Sequence, residues 1–241
     1  MPPQDPINVW LRPERSAVGP KPEHSRAGIA AAAISIADQE GLAAVSIRRV
    51  AASIGSGAAS LYRYVRSHDE LVELMIDTVS GEYELASSDE LAQIQLLNLA
   101  RQGRAIMHRH RWLAPLLLAR PSMGPNSLEY LEHALSALES TKLSGPSKLQ
   151  TVAMMTAITS AFVQNELASN AGPGSGGIAL DEKDRAEYLS KAIETMKYPL
   201  LAGVLSGQHE LESPEELFIH VMATYLTGAG VLVDTEATQR H

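Results

Sequence analysis

The segment IGSGAASLYRYV at residues 54–65 combines small, hydroxyl, aromatic and basic side chains within a few turns of chain. Its glycine-serine turn at 55–57 is followed by Ala58 and Ala59, which allow a backbone to approach another surface closely. Arginine and the tyrosine hydroxyl are suited to phosphate oxygens, and arginine also pairs with guanine edges. The chemistry that this pattern favours is noncovalent contact with duplex DNA.

Helices must position these side chains, and the start and stop residues of three helices surround the segment. Helices are predicted to begin after Ser25, Ser46 and Ser67, and the first two to end at Gly41 and Gly55. The Ser-x-x-Glu spacing at 67–70 predicts a capping box. Two short helices joined by a glycine-containing turn and braced by a third form a helix-turn-helix, whose second helix enters the major groove.

Net charge changes sign along the chain. The whole sequence carries −8, whereas residues 26–68 carry five arginines and two carboxylates, and residues 69–241 are strongly acidic. A positive segment joined to an acidic remainder is expected of a DNA-binding module, because only the docking face needs to attract phosphates. Chance fluctuation over so short a segment is the alternative explanation.

The remainder of the chain is predicted to be helical. No segment shows sustained two-residue alternation, so the predicted class is all-α, with an N-terminal three-helix helix-turn-helix domain and a larger helical ligand-binding and dimerisation domain. The predicted organisation is an extended or disordered arm at 1–24, the helix-turn-helix domain at 25–68, a connecting fourth helix at 68–86 and the helical domain at 87–241. Helices of that last domain are predicted at about 89–109, 111–119, 125–140, 146–170, 182–206 and 213–233. Ser213, Pro214 and Glu216 predict a further capping box.

The run GIAAAAISIADQEGLAAVSIRRVAASIGSGAASLYRYVRSHDELVELM resembles the N-terminal domain of the TetR family of bacterial transcriptional regulators. The matching features are the alanine-rich first helix, the EGL turn, the SIRR start of the second helix, the LYRYV segment and the capped fourth helix. Farther along, HRHRWLAPLLLARPSMGPNSLEYLEHALSAL and KYPLL are similar to the branch nearest the tetracycline repressor. The resemblance implies a regulator of transcription, with repression as the family default.

The resemblance also implies roles for individual residues. Tyr62 and Tyr64 match phosphate contacts, and Arg48 matches an arginine that reads bases. His68 stands where the family usually has a phosphate-binding lysine, a loss for which Arg66 could compensate. Arg49 has the alternative of a solvated surface residue. The predicted DNA-binding residues are Ser46, Arg48, Arg49, Ala58, Ala59, Ser60, Tyr62, Arg63, Tyr64 and His68.

Such a module reads few base pairs, so a two-fold homodimer on a palindromic operator is expected. Small side chains recur along 146–170 and in the final helix, where close helix packing favours them. The family places the dimer contact on these two helices, although the alanines could instead pack inside one subunit. The predicted interface residues are Ala153, Ala157, Ala161, Leu217, Val221, Thr224 and Gly228.

A regulator of this family needs an input, and the second domain is expected to bind a small, largely apolar molecule that releases the protein from DNA. Methionines and aromatic residues on its helices suit an adaptable pocket. They could equally form ordinary core. The predicted ligand-binding residues are Met107, His108, Trp112, Leu116, Met123, Met155, Ile158, Phe162, Asn165 and Glu166.

Several classes of protein are excluded or disfavoured by sequence. The chain has no cysteine, and it has no HExxH, GxSxG or P-loop motif, so we expect neither an enzyme nor a bound cofactor or metal. His108 and His110, two residues apart on a helix, point in different directions and are poor joint metal ligands. No apolar run reaches the roughly 18 residues of a membrane span, and no signal-peptide pattern opens the chain, so a cytoplasmic location is expected. The alternative function is a helical ligand-binding or interaction protein without DNA binding.

Overall fold

The computed structural model describes residues 8–13, 24–86, 90–119, 122–170, 187–188, 190–191, 198–206 and 213–231. Every regular element in these ranges is helical, which confirms the predicted all-α class. We call residues 26–66 the head, the helix at 68–80 the connecting helix, and the helices between 92 and 228 the body. The helices are α1 (Asn8–Leu11), α2 (Arg26–Glu40), a 3-10 turn (Leu42–Ala44), α3 (Ile47–Ser53), α4 (Ala58–Leu61), α5 (His68–Ser80), α6 (Ala92–Arg109), α7 (Leu113–Ala119), α8 (Pro125–Ala137), α9 (Gly145–Asn170), α10 (Pro199–Ser206) and α11 (Pro214–Gly228).

Local capping signals determine where most helices begin and end. The Ser25 hydroxyl accepts a hydrogen bond from the Gly28 amide at 3.0 Å, and Ser213 forms the complete predicted capping box with Glu216. Gly41, with a φ of 84°, ends α2 in a conformation that favours glycine. The bounds differ from prediction mainly at the C-terminal ends, since the connecting helix predicted at 68–86 stops at 80, α8 stops at 137 and α11 at 228. Of the helix predicted at 182–206, residues 182–186, 189 and 192–197 lie outside the described residues, and α10 (Pro199–Ser206) forms its C-terminal end.

The N-terminal segment at 8–13 contains the short helix α1 and is docked on α5, so the prediction of an extended or disordered arm is wrong there. Val9 is fully buried, and the Trp10 indole nitrogen donates to Glu73 Oε1 at 3.0 Å. Arg12 Nη2 lies 2.6 Å from Glu70 Oε2. The physical reason is that α5 carries buried carboxylates, which are costly unless they are paired. The rest of the predicted arm, residues 1–7 and 14–23, lies outside the described residues.

Docking of this segment also changes the cap of α5. The Ser67 hydroxyl accepts from the Glu70 amide at 3.1 Å, as predicted. The reciprocal half of the predicted capping box is wrong, because the Glu70 carboxylate accepts instead from the backbone amide of Arg66 at 2.7 Å and from Arg12. The fully buried carboxylate is therefore used for tertiary structure, and Ser67 alone caps the helix.

The described residues form two hydrophobic cores, and the first of them crosses from head to body. The second core lies within the body, between α6, α8, α9 and α11. Because the first core is shared, movement of the end of α6 must affect packing against the head. Its buried members include Ile29, Ala33, Val50, Leu61, Val65, Leu71 and Met75 from the head and connecting helix, and Ile106, Met107, Trp112, Leu113 and Ala114 from α6, α7 and the turn between them.

A third buried carboxylate of α5 fastens the connecting helix to the start of α8. Asp77 Oδ1 accepts from the Ser127 amide at 2.9 Å, and the Asn126 side chain donates to Asp77 Oδ2 at 3.2 Å. Burial raises the pKa of Asp77, and the charge of Glu73 adds to this, although the bonds from Ser127 and Asn126 oppose it. The connecting helix is thus held along one face by the N-terminal segment and by the beginning of α8.

Candidate nucleic-acid interface and ligand cavity

The helix-turn-helix is set by a glycine turn and a row of buried side chains. Gly55 has a φ of 68°, and the Ser56 amide donates to the Ala51 carbonyl at 2.8 Å across the turn. Val50 and Leu61 are almost fully buried, so α3 and α4 are fixed against each other and against α2. The N-terminal edge of α4 stays open to solvent, since Ala59 is exposed and its neighbours Ala58 and Ser60 are half-buried.

The basic and aromatic residues of this surface are held to different degrees. Arg48 is exposed and has no hydrogen bond or ion pair within the described part of the chain. Arg63 Nη2 donates to Ser60 Oγ at 3.0 Å, so these two predicted contacts form one unit. Arg49 is paired with the Glu40 carboxylate, which supports the solvated-surface alternative for it. Tyr62 is 49% exposed and presents its ring to solvent.

The remaining predicted contact residues lie at the margins of this surface. Tyr64 is only 8% exposed and belongs to the first core, so its prediction as a phosphate contact equivalent to Tyr62 is not supported by its position. The physical reason is that the turn at 62–64 directs Tyr62 to solvent and Tyr64 inward, where its ring meets His24 edge to face at 6.5 Å. Ser46 caps α3 by accepting from the Arg49 amide at 3.2 Å, as predicted. His68, the first residue of α5, is exposed.

A cavity of about 500 Å³ lies in the body between α6, α9 and the beginning of α11. Its polar wall is a cluster of three charged or titratable side chains. Arg104 donates to Glu166 through Nε at 3.1 Å and Nη2 at 2.7 Å, and His108 Nε2 lies 2.7 Å from Glu166 Oε2. The cavity is lined by Arg104, His108, Phe162, Asn165, Glu166, Ser169, Pro214 and Leu217.

The charge of Glu166 is maintained by its two partners. Burial by itself raises the pKa of Glu166, but hydrogen bonds from Arg104 and His108 outweigh burial, and the net pKa is lowered. The Arg104 guanidinium also lies 5.6 Å from the centre of the Phe218 ring, and that ring meets Phe162 edge to face. The cavity therefore offers an aromatic wall beside hydrogen-bonding groups that are already fixed in place.

Four of the predicted ligand-binding residues line this cavity: His108, Phe162, Asn165 and Glu166. Met107 and Met155 border a gap of only about 10 Å³ and are core, so for these two residues the ordinary-core alternative holds. The remaining four predicted residues also lie outside the cavity lining. Ile158 packs against the second core and Leu116 against the first core. Trp112 donates a hydrogen bond to Asp38 in the head, and Met123 is 45% exposed.

The prediction missed four lining residues, and for one of them a signal was present. Arg104 and His108 are four residues apart, a spacing that puts both on one face of α6. Ser169, Pro214 and Leu217 gave no such signal, because they come together only when α11 packs beside α9.

The predicted dimer residues all remain at least partly accessible in the single chain. Ala157 and Val221 are half-buried, and the other five are exposed, with Leu217 at 43%. Larger apolar side chains on α9 are exposed beside them, Leu149 at 49% and Met154 at 44%. The alternative that these alanines pack inside the subunit therefore fails for Ala153 and Ala161. The predicted interface residues are again Ala153, Ala157, Ala161, Leu217, Val221, Thr224 and Gly228.

The described residues show neither a metal site nor a membrane-spanning helix. Within the described ranges, no group of three histidine or acidic side chains is arranged to hold a metal ion. His108 and His110 contact different partners, Glu166 and Asp38, as their spacing predicts. No helix in the part of the chain that the structure describes is long and apolar enough to cross a membrane.

Comparison with known proteins identifies the family. Residues 29–75 match the family described as bacterial regulatory proteins, tetR family, and residues 92–233 match the tetracyclin repressor-like C-terminal domain. The chain belongs to the TetR family. The predicted resemblance is confirmed, and because this is a family of transcriptional regulators, so is the prediction that the chain is not an enzyme.

Individual relatives agree with this assignment to the TetR family. The HTH-type transcriptional repressor DrrR1 of Streptomyces coeruleorubidus is 32% identical over 81% of this chain and 74% of its own length. The crystal structure of apo ActR from Streptomyces coelicolor superposes with a TM-score of 0.70 at 26% identity, covering 86% of this chain and 98% of that one. ActR in complex with actinorhodin gives a TM-score of 0.68 at 27% identity over 86% and 99% of the two chains.

Proposed function

We propose that this TetR-family protein is a cytoplasmic, ligand-responsive repressor that binds a palindromic operator as a homodimer and leaves it when a small molecule enters the body. The observation that carries the proposal is the coexistence, on one chain, of an open helix-turn-helix surface with exposed arginines and a 500 Å³ cavity. Neither feature alone would indicate a regulator with an input.

For DNA docking, the small side chains at the start of α4 allow its backbone to approach the floor of the major groove. They cannot discriminate bases by paired hydrogen bonds, so specificity is assigned to Arg48 and to the linked pair Ser60 and Arg63. Tyr62, whose side chain is exposed, is assigned to a phosphate beside the groove. With Arg49 neutralised by Glu40, the positive charge that faces DNA comes mainly from the other arginines.

For dimerisation, α9 and α11 supply the interface. Their exposed alanines and glycine permit close helix contact, and the exposed Leu149, Met154 and Leu217 supply apolar area that a second copy would bury. Leu217 belongs both to this face and to the cavity lining, so a second copy would also limit access to the cavity.

For the effector, the cavity favours a molecule with apolar rings and hydrogen-bonding groups on one edge. Phe162, Pro214 and Leu217 would contact the rings, while the cluster around Glu166 would meet the polar edge. The similar protein ActR has been crystallised with actinorhodin, which supports this class of ligand.

The test is fluorescence anisotropy of labelled duplex DNA from upstream of the protein's own gene, at several salt concentrations. We expect tight binding that weakens steeply with salt, since several phosphate contacts release counterions, and two chains per duplex by sedimentation. A scrambled duplex of equal length is the control, and actinorhodin is the first molecule to add. Equal, weak binding to both duplexes would favour the alternative of an interaction protein without DNA binding.

A further inference from the structure

Five side chains form a hydrogen-bonded group where the head meets the body, and we call them the interdomain cluster: Asp38, Glu82, Arg109, His110 and Trp112. Asp38 lies in the last turn of α2, and Glu82 follows α5. The other three belong to the end of α6 and the turn before α7. The cluster therefore joins the head, the connecting helix and the body at one place.

His110 is at the centre of the cluster. Its Nδ1 lies 2.9 Å from Asp38 Oδ1, and its Nε2 lies 2.9 Å from Glu82 Oε1. Trp112 Nε1 donates to Asp38 Oδ1 at 2.7 Å, and Arg109 Nη2 donates to Glu82 Oε2 at 2.6 Å. Because both imidazole nitrogens face carboxylate oxygens, only the doubly protonated ring can donate to both.

The environment of the cluster strengthens these contacts. The His110 side chain is 10% exposed, so its two hydrogen bonds are largely shielded from water. Burial alone raises the pKa of Glu82, but the hydrogen bonds from Arg109 and His110 outweigh it and lower the net pKa. Glu82 thus meets Arg109 and His110, and Asp38 meets His110 and the indole N–H of Trp112.

Helix α6 connects this cluster to the effector cavity. Arg104 and His108, which form the polar wall of the cavity, lie in its last two turns, and His110 caps the same helix. The His110 amide donates to the Ile106 carbonyl at 2.9 Å, so the cap continues the helical hydrogen bonds. A displacement of Arg104 or His108 along the helix axis must therefore move His110 against Asp38.

We propose that His110 is a positioning residue that fixes the orientation of the head, and that α6 transmits occupancy of the cavity to it. A ligand that takes Arg104 or His108 from Glu166 shifts the end of α6 and weakens the contact of His110 with Asp38. The inference rests on the proposed function for its biological meaning. The coupling between the cavity and the contact of His110 with Asp38 can be measured without DNA.

The test is hydrogen exchange of backbone amides, followed by mass spectrometry on the full chain without DNA. Glu166→Gln imitates the ligand, because it removes the charge that holds Arg104 and His108. We expect it to speed exchange about fivefold in peptides that cover 110–113 and 37–41, where the Gly41 amide is bonded to Ala37. Asp38→Asn and His110→Gln should each speed exchange in the same two peptides.

Glu40→Gln is the matched control, because it breaks a carboxylate–arginine pair two residues from Asp38 that lies wholly within the head. It should leave the peptide at 110–113 unchanged. In the Asp38→Asn background, Glu166→Gln should no longer alter exchange at 37–41, a dependence that a merely structural role would not produce. The inference is overturned if Asp38→Asn behaves like Glu40→Gln, or if Glu166→Gln affects 37–41 equally in both backgrounds. Since no DNA is present, a failure of operator binding would leave this result unaffected.

Discussion

Replacement of Glu73 tests how firmly the connecting helix holds the N-terminal segment and the turn before α8. Glu73 is 3% exposed, and its Oε1 accepts from Trp10 Nε1 at 3.0 Å, Ser122 Oγ at 2.9 Å and the Met123 amide at 3.0 Å. Hydrogen bonds to a charged group contribute roughly 1.5–3 kcal/mol each. The three donors lie near the surface and can be rehydrated, so we expect Glu73→Ala to cost about 3 kcal/mol in total rather than the full sum.

The matched variant is Glu73→Gln, whose amide oxygen can accept from the same three donors. We expect it to lose only about 1 kcal/mol, because the geometry is kept while the charge is removed. The assay is urea unfolding followed by circular dichroism, with thermal unfolding as a second measurement. Glu73→Ala should lower the melting temperature by about 6–12 °C, using 2–4 °C per kcal/mol for a chain of this size.

Two results would refute this reasoning. If Glu73→Ala unfolds at the same urea concentration as the parent chain, docking of the N-terminal segment contributes nothing to stability. If Glu73→Gln is as unstable as Glu73→Ala, charge rather than the three acceptor contacts is what matters.

Three other predictions concern a close-packed glycine, the carboxylate of the cavity and the proposed DNA-binding surface. Gly124→Ala should cost about 1–3 kcal/mol in urea unfolding, because the added Cβ would overlap the buried carboxylate of Asp77. Gly145→Ala is the control and should leave stability unchanged, because no atom lies within 4 Å of the position of its Cβ. The pKa of Glu166 in the folded protein lies below its ordinary value of 4.5. The ionised carboxylate therefore stabilises the folded state above pH 4.5, and this stabilisation is lost as the pH falls through the folded-state pKa. The difference in unfolding free energy between the parent chain and Glu166→Gln should accordingly shrink between pH 7 and pH 3. Arg48→Ala should reduce discrimination between operator and mismatched duplex by about 1–3 kcal/mol, while Tyr62→Phe should weaken binding to all duplexes alike; equal behaviour of the two would contradict their assigned roles.

Helix starts and ends could be predicted from the sequence where they depend on residues that are close along the chain. Serine caps at 25, 46 and 213 and glycine ends at 41 and 55 are local signals, and each is found where it was predicted. The docked N-terminal segment was not predictable in this way. Trp10 and Arg12 find carboxylates some sixty residues away, and nothing in the local composition of 8–13 indicates that α5 buries those carboxylates.

The same distinction between local and long-range contacts applies to the candidate site. The residues of the proposed DNA-binding surface could be listed together because they lie close along the chain, whereas the burial of Tyr64 and the pairing of Arg49 with Glu40 required the structure. The cavity could be predicted only in part. Phe162, Asn165 and Glu166 lie on one helix, but Trp112 was drawn into the interdomain cluster by a hydrogen bond to Asp38. Composition identifies an apolar side chain without showing which of two cores it joins.

The most direct test of the central claim is a hydroxyl-radical footprint of the protein on the DNA upstream of its own gene. Two exposed helix-turn-helix surfaces, paired through α9 and α11, should protect two symmetry-related sets of sugars whose centres are about 34 Å, or one helical turn, apart. Arg48→Ala should weaken both sets together. A single protected set, or uniform partial protection along the duplex, would contradict the account of a paired regulator that reads a palindrome.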